Sequence, residues 1–419
     1  MDTALATSRS VYEQLAAMAG EPTVAMRAWN GDVWGPRDAP ATVVLNHPGA
    51  LRALLVPLDD LTAGEAYIYD DIDIEGSILE VLRFATSLRA TRRRPLASLR
   101  LLRRLRKLPA ENRRGEHTRP GKKGRLHSKR RDSASVSAHY DTGNDFFRQF
   151  LDPGMVYSCG AFLDPGEPLE MAQRRKIDLI CRKLQLRSGQ RLLDIGCGWG
   201  ALAIHAAQHY DVDVMGVTLS RPQVELATAA AADAGVGNRV TFEVLDYRDV
   251  KGRFDAIASV GMFEHVGKAE LAKYFARVRD MLEPGGTFLN HGIVTRDRQR
   301  RRSRVRPSFI DTYVFPDSEL VTVDDVIRQA EAAGFELRDA ESLRTSYALT
   351  LRHWIHNLET NSEAAMDAAD ETTYRIWRLY MAGSAVGFDT AALSVYQLLF
   401  DTTDRPWTFG RSHMLAADE

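Results

Sequence analysis

Asp194 lies near the end of a short apolar run, Leu192, Leu193 and Ile195, and three glycines follow at alternate positions, Gly196, Gly198 and Gly200. A carboxylate there can accept a hydrogen bond from an amine or hydroxyl. Glycines leave no Cβ, so a ligand can lie against bare backbone. A helix starting near Ala201 would add free N–H groups and partial positive charge. Dinucleotide and nucleotide sites use Gly-rich turns too, but D-x-G-C-G-W-G has the spacing of neither G-x-G-x-x-G nor G-K-[ST]. Polar groups recur behind later apolar runs: Thr218, Ser220 and Gln223, then Asp246 and Tyr247, then Glu264, then His291.

A regular alternation of elements would bring these residues together. Apolar periodicity predicts strands at 191–195, 211–220, 239–250, 254–260 and 285–294, with helices over 169–186, 221–234 and 268–282. That succession builds a parallel sheet wrapped by helices, with ligands at the carboxyl ends of the strands. A further helix is expected at 323–335. Aromatic-rich helices are expected at 343–358 and 372–388, covering the site.

The motif at 194–200 resembles motif I of the class I S-adenosylmethionine methyltransferases. That likeness implies a mostly parallel, Rossmann-like, seven-stranded sheet. Where such enzymes often place a ribose-binding acid, this chain has GVTLS, so Thr218, the Leu219 backbone, Ser220 and Gln223 would have to supply those bonds. Asp246 and Tyr247 suit an adenine edge and face, the first accepting the exocyclic amine and the second stacking. SVGMFEHVG (259–267) replaces the Pro-Pro-aromatic turn of amino-directed enzymes, and none of the cysteines has the Pro-Cys context of cytosine-C5 enzymes.

HYDTGNDFF (139–147), VYSC (156–159), LLDIGCGWG, GVTLS, SVGMFEHVG, the His291–Ile293 strand end and TSYALTL (345–351) occur in that order. Together they are similar to the cyclopropane-fatty-acyl-phospholipid synthase family, strongly over about 130–390. The resemblance implies methylene addition from S-adenosylmethionine across a cis double bond of a phospholipid acyl chain, with bound bicarbonate as the base. Its bicarbonate ligands map onto Cys159, Glu264, His291, Ile293 (through backbone) and Tyr347. Tyr157, Ser158 and Gly196 join Asp194, Gly198, Thr218, Leu219, Gln223, Asp246 and Tyr247 in the implied cofactor set. His139 and Tyr140 are expected to organise the segment closing over it. The family also implies a homodimer. PWTFGRSHM (406–414) has no counterpart.

The 419 residues carry 55 Lys and Arg against 56 Asp and Glu, a balance that hides an asymmetry. About a third of the basic residues fall in 89–131. Within it, LASLRLLRRLRKL (96–108) places Leu101, Leu102, Leu105 and Leu108 on one helical face and Arg100, Arg103, Arg104 and Lys107 on the other, the pattern of a membrane-surface helix. Anionic headgroups, a solvated linker and nucleic acid all fit this block; few aromatics interleave the arginines, which weakens the last. The expected domains are a small α+β, lipid-binding-like module at 1–88, the basic helix and flexible linker at 89–132, and the catalytic domain with helical lid insertions at 133–419. In the first, GEAYIYDDIDIEG (64–76) reads either as a solvated acidic loop or as a weak extension of the family likeness.

Three scattered cysteines, Cys159, Cys181 and Cys197, fit a reducing cytosol and neither a disulfide framework nor a metal site. No apolar run is long enough to span a bilayer, and MDTALATSRS is not a secretory signal. The expected location is the cytoplasm, at the inner face of the membrane. Three functions stand: a phospholipid cyclopropane synthase, a sibling making methylene- or methyl-branched chains from the same cation, and a nucleic-acid methyltransferase using the basic tract.

Overall fold

The computed structural model describes residues 3–20, 22–90, 95–114, 142–296, 308–315, 319–402, 411 and 414. His139, Tyr140, residues 115–131 of the basic tract, 297–306 and most of 406–414 lie outside them. The chain forms two compact units, one of 1–122, 304–316 and 370–386, the other of 123–303, 317–369 and 387–419.

In the first unit β1 (Val24–Arg27), β2 (Val33–Trp34), β3 (Ala41–Leu45) and β4 (Ile72–Gly76) form a sheet of order β2-β1-β3-β4. β1 and β2 form the hairpin expected at 23–35, with Gly31 at φ +93° and Asn30 Oδ1 accepting from Asp32 N at 3.1 Å. The acidic run is no solvated loop. Glu65 lies in the helix Asp60–Ile68 and pairs with Arg114 at 2.9 Å, while Asp71, just before β4, accepts from His47 Nε2 at 2.8 Å. Both carboxylates are buried, so each needs such a partner. The helix Glu371–Asp389 was expected over the active site, yet its residues up to 386 belong to this unit. There Arg378 Nη1 donates to Tyr67 Oη at 2.9 Å, and Arg375 Nη1 to Tyr67 O at 3.0 Å.

The basic helix forms as Pro95–Leu105, but its leucine face is not presented outward. Leu101, Leu105 and Leu108 are buried, the helix packs on Thr3–Ala19, and Arg104 donates to Gln14 Oε1 at 2.8 Å. With these leucines already packed inside the unit, they are not free to insert into a bilayer unless this packing is broken. This corrects the expectation of an apolar docking face. Arg100, Arg103, Arg106 and Lys107 do remain exposed.

The second unit holds β5 (Arg191–Ile195), β6 (Asp213–Thr218), β7 (Val240–Val244), β8 (Phe254–Val260), β9 (Leu282–Thr295), β10 (Phe335–Ser342) and β11 (Leu393–Thr402) in the order β10-β11-β9-β8-β5-β6-β7. The last five in that order run parallel, and β11 pairs antiparallel with both β9 and β10. Helices cover the strands on both faces, so β5 reads as a continuous apolar run, with Leu192 and Leu193 fully buried. The order reverses at β5, which sits between β6 and β8. In an open α/β sheet that switch point opens a crevice at the strands' carboxyl ends. The fold is the mostly parallel seven-stranded sheet that the motif I likeness implied.

Candidate active site

The loop after β5 turns tightly into the helix Ala201–Tyr210. Gly200 has φ +89°, and a Cβ there would lie 2.6 Å from the Phe242 ring, so only glycine closes this turn against β7. Below the loop lies a cavity of about 210 Å3. Ten of the residues expected to bind the cofactor line it; Ser220, also expected there, does not, and its N–H donates to Thr218 Oγ1 at 3.3 Å. Tyr157 and Ser158 come from the segment before the helix Leu169–Lys183. Asp194, Gly196 and Gly198 come from the end of β5 and its loop. Thr218, Leu219 and Gln223 follow β6, and Asp246 and Tyr247 follow β7.

Asp194 is 2% exposed, and burial pushes its carboxyl up to about 7, opposed by the Lys176 ammonium. Lys176 also lines the cavity, and its Nζ donates to Ser158 Oγ at 2.8 Å. Burial pushes it down to about 8, against the pull of Cys159, Asp152 and Asp194. Gln173, one turn earlier, donates to Ser158 O at 2.7 Å and Val156 O at 3.3 Å. Neither residue was singled out from the sequence. The signal was there: both fall on the apolar stripe formed with Leu169, Ile177 and Ile180, where a polar side chain must face a buried partner.

Thr218 Oγ1 donates to Gln223 Oε1 at 2.7 Å, which fixes the amide at the mouth of β6. Asp246 has a structural task beside the expected one. Its Oδ1 accepts from Arg248 N at 2.9 Å and Nε at 2.8 Å, capping the turn Tyr247–Asp249. A carboxylate has lone pairs left for an amine. The donor set, an acid at β5, an amide at β6, an acid with an adjacent ring at β7 and bare glycine backbone between, fits an aminoacyl nucleoside such as S-adenosylmethionine.

The five residues mapped to the anion come together around β9 and β11 rather than in that cavity. β8 ends at Val260, paired with His291, and the chain turns into Phe263–His265. The ladder therefore stops short of Ile293, whose N–H donates to Glu264 Oε1 at 2.6 Å. Gly292 makes this approach possible, since a Cβ there would lie 2.0 Å from Phe263 Cε1 and 3.1 Å from Glu264 Oε1. Glu264 is 6% exposed, and burial pushes its carboxyl up to about 7, opposed by the Ile293 N–H. His291 is pushed well below its usual value, by burial first and by the Lys176 and Lys183 ammonium groups after it, so its ring is neutral.

Cys159 and Tyr347 meet at Leu343. The Leu343 carbonyl accepts from Tyr347 N at 2.9 Å, on the first turn of the helix Arg344–Thr360, and from Cys159 Sγ at 3.5 Å. Leu343 N in turn donates to Val395 O at 3.0 Å, and Val395 is paired with Ile293. Burial pushes the Cys159 thiol upward, so it is no thiolate nucleophile. The Tyr347 ring packs 4.6 Å from Phe388 and 6.1 Å from Trp354, and Trp354 lies 5.2 Å from Tyr157 of the cavity wall. An aromatic row thus leads from the cavity towards Tyr347. Among the described residues, Glu264 Oε2 and His291 Nε2 are buried without a partner. A neutral imidazole N–H and a carboxyl oxygen are what the O⁻ and O–H of bicarbonate require, so the residues present fit that group.

The family model of mycolic acid cyclopropane synthetase matches residues 127–398. A probable fatty acid methyltransferase of Pseudomonas putida is 38% identical over 394 residues, which covers 91% of this chain and 94% of its own. The cyclopropane-fatty-acyl-phospholipid synthase of Escherichia coli strain K12 is 38% identical over 275 residues, 66% of this chain and 69% of that one. The solved structure of mycolic acid cyclopropane synthase CmaA1 complexed with SAH and CTAB matches with a TM-score of 0.61 at 34% identity, covering 64% of this chain and 98% of that one. The switch-point cavity, the sheet order and these likenesses agree: the chain belongs to the mycolic acid cyclopropane synthetase family and is an S-adenosylmethionine-dependent methyltransferase.

Proposed function

We propose that this enzyme adds a methylene group from S-adenosylmethionine across a cis double bond in the acyl chain of a phospholipid, forming a cyclopropane, with bicarbonate held by Cys159, Glu264, His291, Ile293 and Tyr347. The observation that carries the reading is that Glu264 Oε2 and His291 Nε2 are each buried without a partner, the first on the carboxyl that holds the Ile293 N–H and the second two residues before Ile293 on β9. An isolated alkene has no acidic proton, so alignment with the methyl donor matters more than a strong base at the first step. The residues of this chain agree: the Cys159 thiol stays protonated and the His291 ring neutral. The faces of Tyr157, Trp354 and Tyr347 suit the cation that methyl transfer leaves on the chain. Bound bicarbonate would supply the base that takes the proton from the new methyl group. His291 Nε2–H and Tyr347 would hold its negative oxygens, and Glu264 would accept its O–H.

A second reading rests on one observation. The Pseudomonas putida relative, alike over nearly all its length, is a probable fatty acid methyltransferase. The same cation, after a 1,2-hydride shift and loss of a proton from the new methyl group, gives a methylene-branched chain, which a separate reductase with a hydride donor would turn into a methyl-branched one. Mass spectrometry of lipids from a host expressing this chain separates the two. The ring and the methylene branch each gain one CH2 unit and are told apart by fragmentation, while a reduced methyl branch is heavier by two more hydrogens. Turnover in carbon-dioxide-depleted buffer equal to that with added bicarbonate would reject the anion assignment under both readings.

The proposal extends to docking. An acyl double bond lies below the headgroups, so the active site must be brought to a membrane surface; the reading places the enzyme peripherally at the inner face, and the family likeness adds a homodimer. No helix among the described residues is long and apolar enough to cross a membrane. Arg100, Arg103, Arg106 and Lys107 are exposed, and each can gain on the order of 1 kcal/mol near an anionic surface.

A further inference from the structure

We propose that Gln397 is a positioning residue that fixes the tautomer of His291, placing the ring proton on Nε2. Its catalytic consequence rests on the anion reading above; the tautomer does not.

Gln397 and His291 are paired directly across β11 and β9. Side chains opposite one another in an antiparallel ladder share a face and are close enough to touch. Gln397 Nε2 lies 3.3 Å from His291 Nδ1. Gln397 is fully buried and His291 1% exposed, so neither can trade this contact for water. The ring is neutral, and one nitrogen alone bears a proton. With the amide N–H donating to Nδ1, that nitrogen is an acceptor and the proton belongs to Nε2.

The alternative is a turned amide, with Gln397 Oε1 accepting from Nδ1–H. It carries a heavier cost. In the present arrangement the unpartnered atoms of the pair are one carbonyl oxygen, Gln397 Oε1, and His291 Nε2. Turning the amide would put its NH2 group where Oε1 now finds no partner. Buried N–H groups without partners are rarer than under-used carbonyls. It would also leave a bare lone pair on Nε2, which repels an anion, where the Nε2–H tautomer offers a donor. Partners of this kind, acting through a ligating histidine, change affinity or activity by about 10- to 100-fold when removed.

The test uses the full chain labelled with 15N-histidine. Long-range proton–nitrogen correlation spectra distinguish the two tautomers, and loss of one pattern in His291→Gln identifies the residue among the 11 histidines. The expected result is Nε2–H in the parent and Nδ1–H in Gln397→Glu, whose carboxylate would accept from Nδ1. Gln397→Glu and Gln397→Leu should raise the bicarbonate concentration for half-maximal turnover by about 10-fold or more, with the Kd for S-adenosylmethionine unchanged. A parent spectrum with the proton on Nδ1 overturns the proposal, and so does Nε2–H persisting in Gln397→Glu. The parent spectrum, assigned through His291→Gln, decides the matter even where a Gln397 variant does not fold. Should the parent turn over equally without bicarbonate, the anion reading falls while the tautomer is still judged by its own spectrum.

Discussion

Replacing Glu264 by glutamine should make the protein more stable and less active. The carboxyl is 6% exposed, and burial raises it from 4.5 to about 7. Between these values the folded chain holds a proton that the unfolded chain has released. Stability contributed by this group is therefore present below pH 4.5 and is lost as the pH rises towards 7. Each tenfold change in proton affinity is worth about 1.4 kcal/mol, so the loss is about 3 kcal/mol once the pH exceeds 7. Glutamine keeps an acceptor for Ile293 N, bonded at 2.6 Å in the parent, and has nothing to ionise. The stability difference, variant minus parent, should be flat below pH 4.5, climb by about 3 kcal/mol by pH 7, and stay level beyond. Asp194, raised for the same reason, is common to both proteins and cancels. The measurement is urea unfolding across that pH range, followed by hydrogen exchange in peptides covering β9 so that the catalytic unit is read by itself. Turnover at saturating S-adenosylmethionine is measured alongside and should fall at least about 10-fold. A difference that does not change with pH would refute the buried carboxyl, and a stabilised variant with full turnover would refute its part in the chemistry.

Gly292→Ala should cost about 1–3 kcal/mol and most of the turnover, because its Cβ would overlap the Phe263 ring and displace Glu264; Phe263→Leu in the same chain should restore part of both, measured by unfolding midpoint and product formation. Asp194→Ala should weaken S-adenosylmethionine binding in calorimetry, whereas Tyr347→Phe should lose turnover at unchanged affinity; equal loss of affinity in both would show that the two sites are wrongly separated. Changing Arg100, Arg103, Arg106 and Lys107 to glutamine should reduce co-sedimentation with anionic vesicles at low salt and leave neutral vesicles unaffected, the term weakening as salt rises. Identical pelleting by parent and variant at every salt concentration would remove this helix from docking.

The inner strands β5, β6 and β8 were legible because they are largely buried on both faces. They are short, mostly apolar runs, and each polar residue at a strand end stands out from such a run. The residues behind β5, β6 and β7 that are proposed to bind the cofactor stood out for the same reason, whereas Tyr157 and Ser158 came from the family likeness alone. The basic helix misled because a leucine stripe opposite arginines has the same pattern whether it lies on lipid or on Thr3–Ala19; periodicity reports that a face is buried and not what buries it. The acidic run at 64–76 misled in the opposite way, since the arginines that neutralise it, Arg114 and Arg375, lie far along the chain.

The anion site shows most clearly where spacing stops being informative. Glu264 reaches Ile293 only because β8 ends two residues early, a fact of register rather than of composition. Cys159 and Tyr347 are brought to it through Leu343, which bonds to Val395, which pairs with Ile293. The last two of these links run through β11, a strand that enters the sheet about a hundred residues after β9 and inserts beside it antiparallel. SVYQLLF was not singled out as a strand of the site, although it carries the one mark by which it could have been recognised. Gln397 alternates with Val395 and Leu399 on a strand whose other residues are nearly all buried, and a lone amide in that position must serve a buried partner. Its partner is His291, one of the two groups on which the chemistry is proposed to turn. The antiparallel edge of this sheet is thus more than a cover for the parallel half: through Gln397, the Val395–Ile293 pairing and the Leu343 N–H it ties the histidine, the backbone N–H and the helix that carries the tyrosine to one frame.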